Sequence, residues 1–374
     1  MATAGTVAAL AAFLGLGQAD AAFTATTDTA ATFEAAPGFR SGDLYSWGGT
    51  PARVGTATGW IRPTAGNGYA CAMRTDRTLW CWGANGDGQL GLGDTAARNA
   101  GPVQLTGADW TAVAAGSRHT CAVRSDGTLW CWGANSAGQL GLGDLAVRDV
   151  PVQVGAATTW ASVAGGVAHT CATRVDGSLW CWGANDAGQL GLGDTTDRDT
   201  PTQVGAATTW ASVAGGMTHT CATRMDGSLW CWGANDAGQL GLGDTTDRDT
   251  PARVGAAEWR AVTVGGRHSC GVRTDGTLWC WGAGAAGQLG LGDTADRAAP
   301  AQVGADAGWT SVAAGRLHTC ATATGEEVWC WGANAAGQLG LGDTTDRDAP
   351  ERINTFTGRP LGAGPDADAT LAIG

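Results

Sequence analysis

A unit of about fifty residues is written six times through this chain, and that repetition constrains the fold more than any other feature. Leu-Trp-Cys-Trp-Gly-Ala begins at Leu79, Leu129, Leu179, Leu229 and Leu278, and again at Val328 with Val in place of Leu. Each copy continues into Gly-Gln-Leu-Gly-Leu-Gly-Asp, as from Gly188 to Asp194, then a Pro such as Pro201 and a Trp such as Trp210. The unit ends on a segment typified by Gly216 to Cys221, Gly-x-x-His-Thr-Cys. The first Cys of successive units stands at 71, 121, 171, 221, 270 and 320, a period of 50 with one slip to 49. Within a unit, Trp210 to Ala214, His219 to Arg224, Ser228 to Trp232 and Pro251 to Val254 read as four short strands, the last an edge strand where Pro is tolerated. Outside the extreme N-terminus no helical period is sustained. Four strands per unit match a propeller blade better than a helical repeat.

The two ends complement each other. Gly42 to Gly48 matches the Leu-Trp-Cys-Trp-Gly strand but has no partner strand before it. Ala363 to Thr370 is aligned with the Ala-Gly-x-x-His-Thr-Cys-Ala strand and has no partner after it. The halves joined make a seventh unit, so the expectation is an all-β, seven-bladed propeller over residues 41–374, closed by strands from both termini. Closure removes the sheet edges that an open array leaves exposed.

All twelve Cys fall in pairs ten residues apart: Cys71 and Cys81, Cys121 and Cys131, Cys171 and Cys181, Cys221 and Cys231, Cys270 and Cys280, Cys320 and Cys330. Between them lies a three-residue hairpin loop such as Val175-Asp176-Gly177, with Gly in the left-handed position. Counting outward, Cys171 faces Cys181 in a non-hydrogen-bonded pair, with Cα atoms about 4.5 Å apart, at the near edge of the disulfide range. In the split unit Ser46 and Ala369 are aligned with the two Cys positions, so both partners are missing together. Zinc is the rival, since His169 and Cys171 share a face with Cys181. The spacing, however, is not that of a zinc knuckle, and a flat hairpin face presents ligands poorly to a tetrahedron. Six disulfides imply an oxidising compartment.

The N-terminus agrees with export. Thr6 to Gly17 is an apolar run too short to span a bilayer, and Ala19-Asp20-Ala21 has the small-x-small form of a leader-cleavage site, though no basic residue precedes Arg40. Residues 1–21 are therefore read as an export segment and 22–40 as a Thr/Ala-rich linker.

Composition removes several functions. All 22 basic residues are Arg, which excludes a Schiff-base lysine, a lysine nucleophile and a Walker-type phosphate loop. A net charge of -12 without a basic run is unsuited to nucleic acid or an anionic membrane. The Trp of each unit, 19 in the chain, are expected to pack between blades, although exposed Trp would suit sugars or bases. His119, His169, His219, His268 and His318 share one position, with Tyr69 in the sixth. A ring of His suggests a metal or a pH switch, while the plainer reading is a side chain hydrogen-bonded to backbone at a blade junction. Loops such as Gly193 to Asp199 are acidic enough for Ca²⁺ but lack the ligand order of a calcium loop, and Arg198 neutralises its neighbours. The segment Gly188 to Gly193 is not followed by a helix and reads as a tight crossing between strands rather than a phosphate cradle.

Together, the segments Gly-x-x-His-Thr-Cys-Ala, Asp-Gly-x-Leu-Trp-Cys-Trp-Gly, Asn-x-x-Gly-Gln-Leu-Gly and Pro-x-x-Val resemble regulator-of-chromosome-condensation repeats, over about residues 41 to 374. The resemblance implies the seven-bladed fold closed by both termini. The eukaryotic founder of that family exchanges nucleotide on a GTPase and binds chromatin, a role that an acidic, disulfide-bonded chain does not match. The Cys-bearing repeats are similar to those of exported bacterial propellers. The expectation is thus a secreted or cell-surface, monomeric, non-enzymatic scaffold. It binds a protein partner, with no cofactor, metal, nucleic acid or membrane insertion. An alternative is an inhibitor or regulator of an extracellular enzyme, similar to the secreted β-lactamase inhibitory propeller of this fold. A third is a hydrolase or lyase with its site in the central channel. Units 160 to 200 and 210 to 250 differ only at Val167/Met217, Ala168/Thr218 and Val175/Met225, so a unique site belongs elsewhere. Gly48, Gly49 and Thr50, which replace the whole Gly-Gln-Leu-Gly loop in the closing unit, are the candidate partner-binding residues.

Overall fold

In the computed structural model, residues 42–47, 52–357 and 361–373 are described, with the backbone alone for 354–357. The export segment 1–21, the linker 22–40 and the candidate residues Gly48, Gly49 and Thr50 lie outside the described residues. Within them every regular element is a strand. The third repeat shows the pattern. Trp160–Gly165, His169–Arg174, Leu179–Gly183 and Arg198–Gln203 pair antiparallel in sequence order as one four-stranded sheet. The first, second and sixth repeats repeat it. In the fourth and fifth the sheets are joined, because Arg248–Val264 runs without a break from the last strand of one into the first strand of the next. The connection there, Val254 to Trp259, is one residue shorter than Val204 to Trp210.

The fourth strand begins earlier than its Pro suggests. Arg198 pairs with Gly183, and the register then shifts before Thr202 meets Cys181. Such a bulge lets the strand continue past Pro201, which has no N–H to give to the ladder.

Neighbouring sheets pack face to face. The Leu and Cys face of the second repeat (Cys121, Leu129, Cys131, Leu140) meets the Trp face of the third (Trp160, Trp182) in one apolar cluster. The same pairing recurs at the next interfaces. Side chains alternate along a strand, so Leu179 and Cys181 serve one interface while Trp180 and Trp182 serve the other. Trp182 is fully buried and its indole N–H donates to the Gln139 carbonyl of the preceding repeat at 3.0 Å. Gly191 explains the Gly-rich loop: its φ is +71°, and a Cβ there would stand 2.7 Å from the Nε1 of Trp232. The loop is a tight turn laid against the next repeat's indole.

The terminal strands share a sheet. Leu44–Trp47 pairs with Thr370–Ile373, flanked by Ala52–Arg53 and Leu361–Gly362. On one side Trp47 packs among Cys320, Cys330 and Leu339 of the sixth repeat; on the other, Leu44 and Ile373 pack with Trp60 and Ala72 of the first. The register corrects the alignment made from sequence. Ser46 lies opposite Leu371, not Ala369. Thr370, not Asp368, stands at the Thr of the repeats' His-Thr-Cys segment, since its hydroxyl lies 2.8 Å from His318 Nε2 as that of Thr220 lies 3.0 Å from His169 Nε2. The turn in which the Ala367 N–H donates to Gly364 O lengthens this connection by two residues and displaces every later position.

Candidate functional site

Each of the six Cys pairs is a disulfide across directly opposed residues of the second and third strands, with Cα atoms 4.1 Å apart. This is closer than the spacing expected from an unlinked pair. All twelve Cys are buried, and no group of three or more potential metal ligands exists among the described residues.

The five His are also structural. Each is buried, and Nε2 lies 2.8–3.0 Å from a hydroxyl of the following sheet: Thr170, Thr220, Ser269, Thr319 and Thr370. The hydroxyl proton of Thr170 is committed to the Gln139 carbonyl, and those of Thr220, Ser269 and Thr319 to equivalent carbonyls. The oxygen must therefore accept, and Nε2 carries the imidazole proton. Burial drives the pKa of His119, His219 and His268 down to about 3 and of His169 and His318 to about 4. These rings are neutral side chains that tie one sheet to the next. The partner is a hydroxyl, one step removed from the backbone group expected. Tyr69 at the sixth position donates its phenol to the His119 carbonyl.

The acidic loops are occupied too. Asp194 holds Arg198 at 2.6 Å and accepts the Thr196 N–H, while Asn185 Nδ2 donates to the Asp194 and Thr196 carbonyls. The same Asp–Arg pair recurs in all six repeats, on the face that carries the loops between third and fourth strands.

The opposite face, where the Cys-closing hairpins turn, carries an arrangement that sequence reasoning missed. Arg174, the last residue of its strand, lays its guanidinium carbon 4.5 Å from the Trp160 ring centre and 4.0 Å from that of Trp180. Arg124, Arg224 and Arg273 sit the same way between their own Trp pairs. A cation over an indole face is favourable by about 0.5–2 kcal/mol, more where water is excluded. The hairpin supports the second Trp: Trp180 Nε1 donates to Ser178 Oγ at 2.9 Å, and Ser178 Oγ donates to Asp176 at 2.6 Å.

The sixth repeat departs at every one of these positions. Ala323 replaces the Arg, and Gly325-Glu326-Glu327 replaces Asp-Gly-Ser. Trp329 Nε1 has no hydrogen-bond partner among the described residues. The two indoles have not moved together. Trp309 and Trp329 lie 6.3 Å apart at 74°, against 6.3 Å and 78° for Trp160 and Trp180. Between them opens a cavity of about 360 Å³, lined by Asp306, Trp309, Ala323, Glu327, Trp329 and Pro350 among others. Glu327 is paired with Arg352 at 2.9 Å, while Asp306 makes no ion pair among the described residues. The sequence signal was present: Arg74, Arg124, Arg174, Arg224 and Arg273 form one column, and Ala323 breaks it.

Sheets of four antiparallel strands, repeated in sequence order and stacked Trp face to Cys face, define a β-propeller built from blade repeats. The chain belongs to the regulator of chromosome condensation (RCC1) repeat family: the RCC1-like domain matches residues 48–270, and RCC1 repeats match 275–322 and 326–362. A second RCC1 repeat description matches 259–288 and 309–338. Among solved structures, it is similar to yeast RCC1 (Prp20) bound to Kap60, with a TM-score of 0.79 and 20% identity over 93% of this chain and 91% of that one. It is also similar to human WBSCR16, with a TM-score of 0.80 and 21% identity over 89% of this chain and 99% of that one. At such identity the likeness concerns the fold. The curated proteins contain no match to the sequence.

Proposed function

We propose that the chain closes into a seven-bladed ring, is exported to an oxidising compartment, and serves there as a monomeric, non-enzymatic scaffold that binds another protein. The shared terminal sheet supports the ring, and six buried disulfides support the compartment. Among the described residues no helix is long and apolar enough to cross a membrane. The repeated His, Asp and Arg are engaged in holding the blades, which leaves the surface for recognition.

One observation carries the protein-binding reading. In the second repeat Leu145, Val147 and Val150 stand 60%, 51% and 45% exposed, where the third repeat has Thr195, Asp197 and Thr200. Three exposed apolar side chains within six residues, two in the loop and Val150 in the strand Arg148–Gln153 that follows it, mark a contact surface of an acidic protein better than a solvent face. Yeast RCC1, a propeller of the same fold, is itself bound by Kap60, and a second study concerns its binding to Gsp1p and histones.

The triple variant Leu145→Thr, Val147→Asp, Val150→Thr gives these three positions the residues that the third and fourth repeats carry there. It is expected to keep the Tm within a few degrees and to lose, by about tenfold or more, the partner that the unaltered protein captures from the culture medium of its source. Equal capture by both proteins contradicts the reading. An extracellular enzyme as the captured partner makes the scaffold a regulator.

A further inference from the structure

We propose that the cavity between Trp309 and Trp329 is a binding pocket for an arginine side chain presented by the partner protein. The inference deepens the scaffold reading and rests on it for the source of the arginine. The chemistry is supplied by the molecule's own templates. Four times in this chain two indoles hold a guanidinium at 3.6–5.1 Å from their centres, and two of those pairs, Trp160 with Trp180 and Trp210 with Trp230, lie edge to face. In the sixth repeat the same pair of indoles is kept at the same angle and spacing, and the guanidinium is gone. Among the described residues none has taken over the room. Arg352 leans on Glu327 and is not among the residues lining the cavity.

The wall chemistry has changed in the direction a cation requires. The turn's Ser or Thr is replaced by Glu327, and the connection before the first strand contributes Asp306, where the third and fourth repeats have Ala157 and Ala207 close by. In the sister repeats the pocket is filled by an Arg beside its hairpin Asp, such as Arg174 beside Asp176; here that Asp is Gly325 and the lining carboxylates are Glu327 and Asp306. A planar guanidinium satisfies both features, stacking on indole and pairing with carboxylate. An ammonium lacks the planar stack, and a neutral side chain gains nothing from Asp306.

The test uses the intact oxidised protein and N-acetyl-arginine amide as probe, followed by Trp fluorescence and by the indole N–H resonances. Saturable binding is expected with a Kd on the order of 1 mM, as suits one side chain without the rest of a partner. The citrulline amide, which keeps the shape and loses the charge, is expected to bind at least tenfold more weakly. Ala323→Arg is expected to fold, since five sister repeats carry Arg there, and to abolish binding by filling the gap from within. Absence of saturation up to about 20 mM, equal binding of citrulline, or unchanged binding by the Ala323→Arg protein overturns the proposal. The titration needs no partner, so its failure leaves partner capture standing. Loss of the scaffold reading, conversely, shows in the loop variant while the probe still binds.

Discussion

Unfolded in denaturant with a reductant and returned to native buffer with the reductant still present, the protein is expected not to regain its cooperative transition. The same cycle without reductant is expected to restore it. Each disulfide closes a hairpin loop ten residues long in sequence separation, which in the loop-entropy treatment stabilises by about 2–3 kcal/mol. Six of them together supply about 15 kcal/mol, as much as the whole stability of an ordinary domain. The staples are needed because this architecture is short of other resources. Gly supplies 62 residues, each losing more backbone freedom on folding than any other type. In the native state the sulfurs are out of solvent, so reductant alone is expected to leave all six bonds intact. Labelling in denaturant should find no free thiol before reduction and twelve after it. A reduced protein that refolds with an unchanged Tm contradicts this account.

The second large effect is acid sensitivity well above the carboxylate range. A His whose folded pKa is depressed from 6.5 to about 3 or 4 stays neutral in the fold and takes a proton readily only when unfolded. Its stabilising contribution is fully present above the unfolded pKa and is lost as the pH falls from 6.5 toward the folded value. Five such groups act together, and between pH 7 and pH 5 their summed loss is about 9 kcal/mol. The neighbourhood offers little relief. The rings face hydroxyls, His119 and His268 feel other His, and Asp236 pulls weakly the other way only at His219. The loop aspartates, whose pKa values are lowered, join in only at lower pH. Asp194, held first by the Thr196 N–H and then by Arg198, is typical. Calorimetry from pH 7 to pH 5 should show a steep fall in Tm with several protons taken up on unfolding. A flat Tm across that interval is incompatible with buried neutral His.

Most of the architecture was legible because the chain states it six times. Cys spacing, hairpin turns and alternation gave the register of the second and third strands, and the Trp and Cys faces gave the stacking. Repetition fails where a unit departs from it. Ala363 to Thr370 keeps only the Ala-Gly of the pattern, and a two-residue longer turn behind that anchor is silent in the sequence, so the alignment slid from Leu371 to Ala369. The arginine cage failed to appear for another reason. Trp160, Arg174 and Trp180 recur at a fixed spacing, but that spacing does not say that the guanidinium lies on both indoles; the fold brings the three into contact. Once the cage is known, Ala323 is the informative residue, because an absence in a repeated column is as specific as a motif.

A seventh staple would join the two terminal strands that make the last blade of the ring. Ser46→Cys with Leu371→Cys places thiols at the register that the six native disulfides occupy. The two thiols are expected to pair within one molecule. Oxidation should then cost two hydrogens in mass and raise stability by up to about 6 kcal/mol, the loop-entropy value for a closed loop of roughly 300 residues. The control pair Ser46→Cys with Ala369→Cys should stay reduced. Free thiols in the first variant, or disulfides formed only between molecules, would contradict the ring.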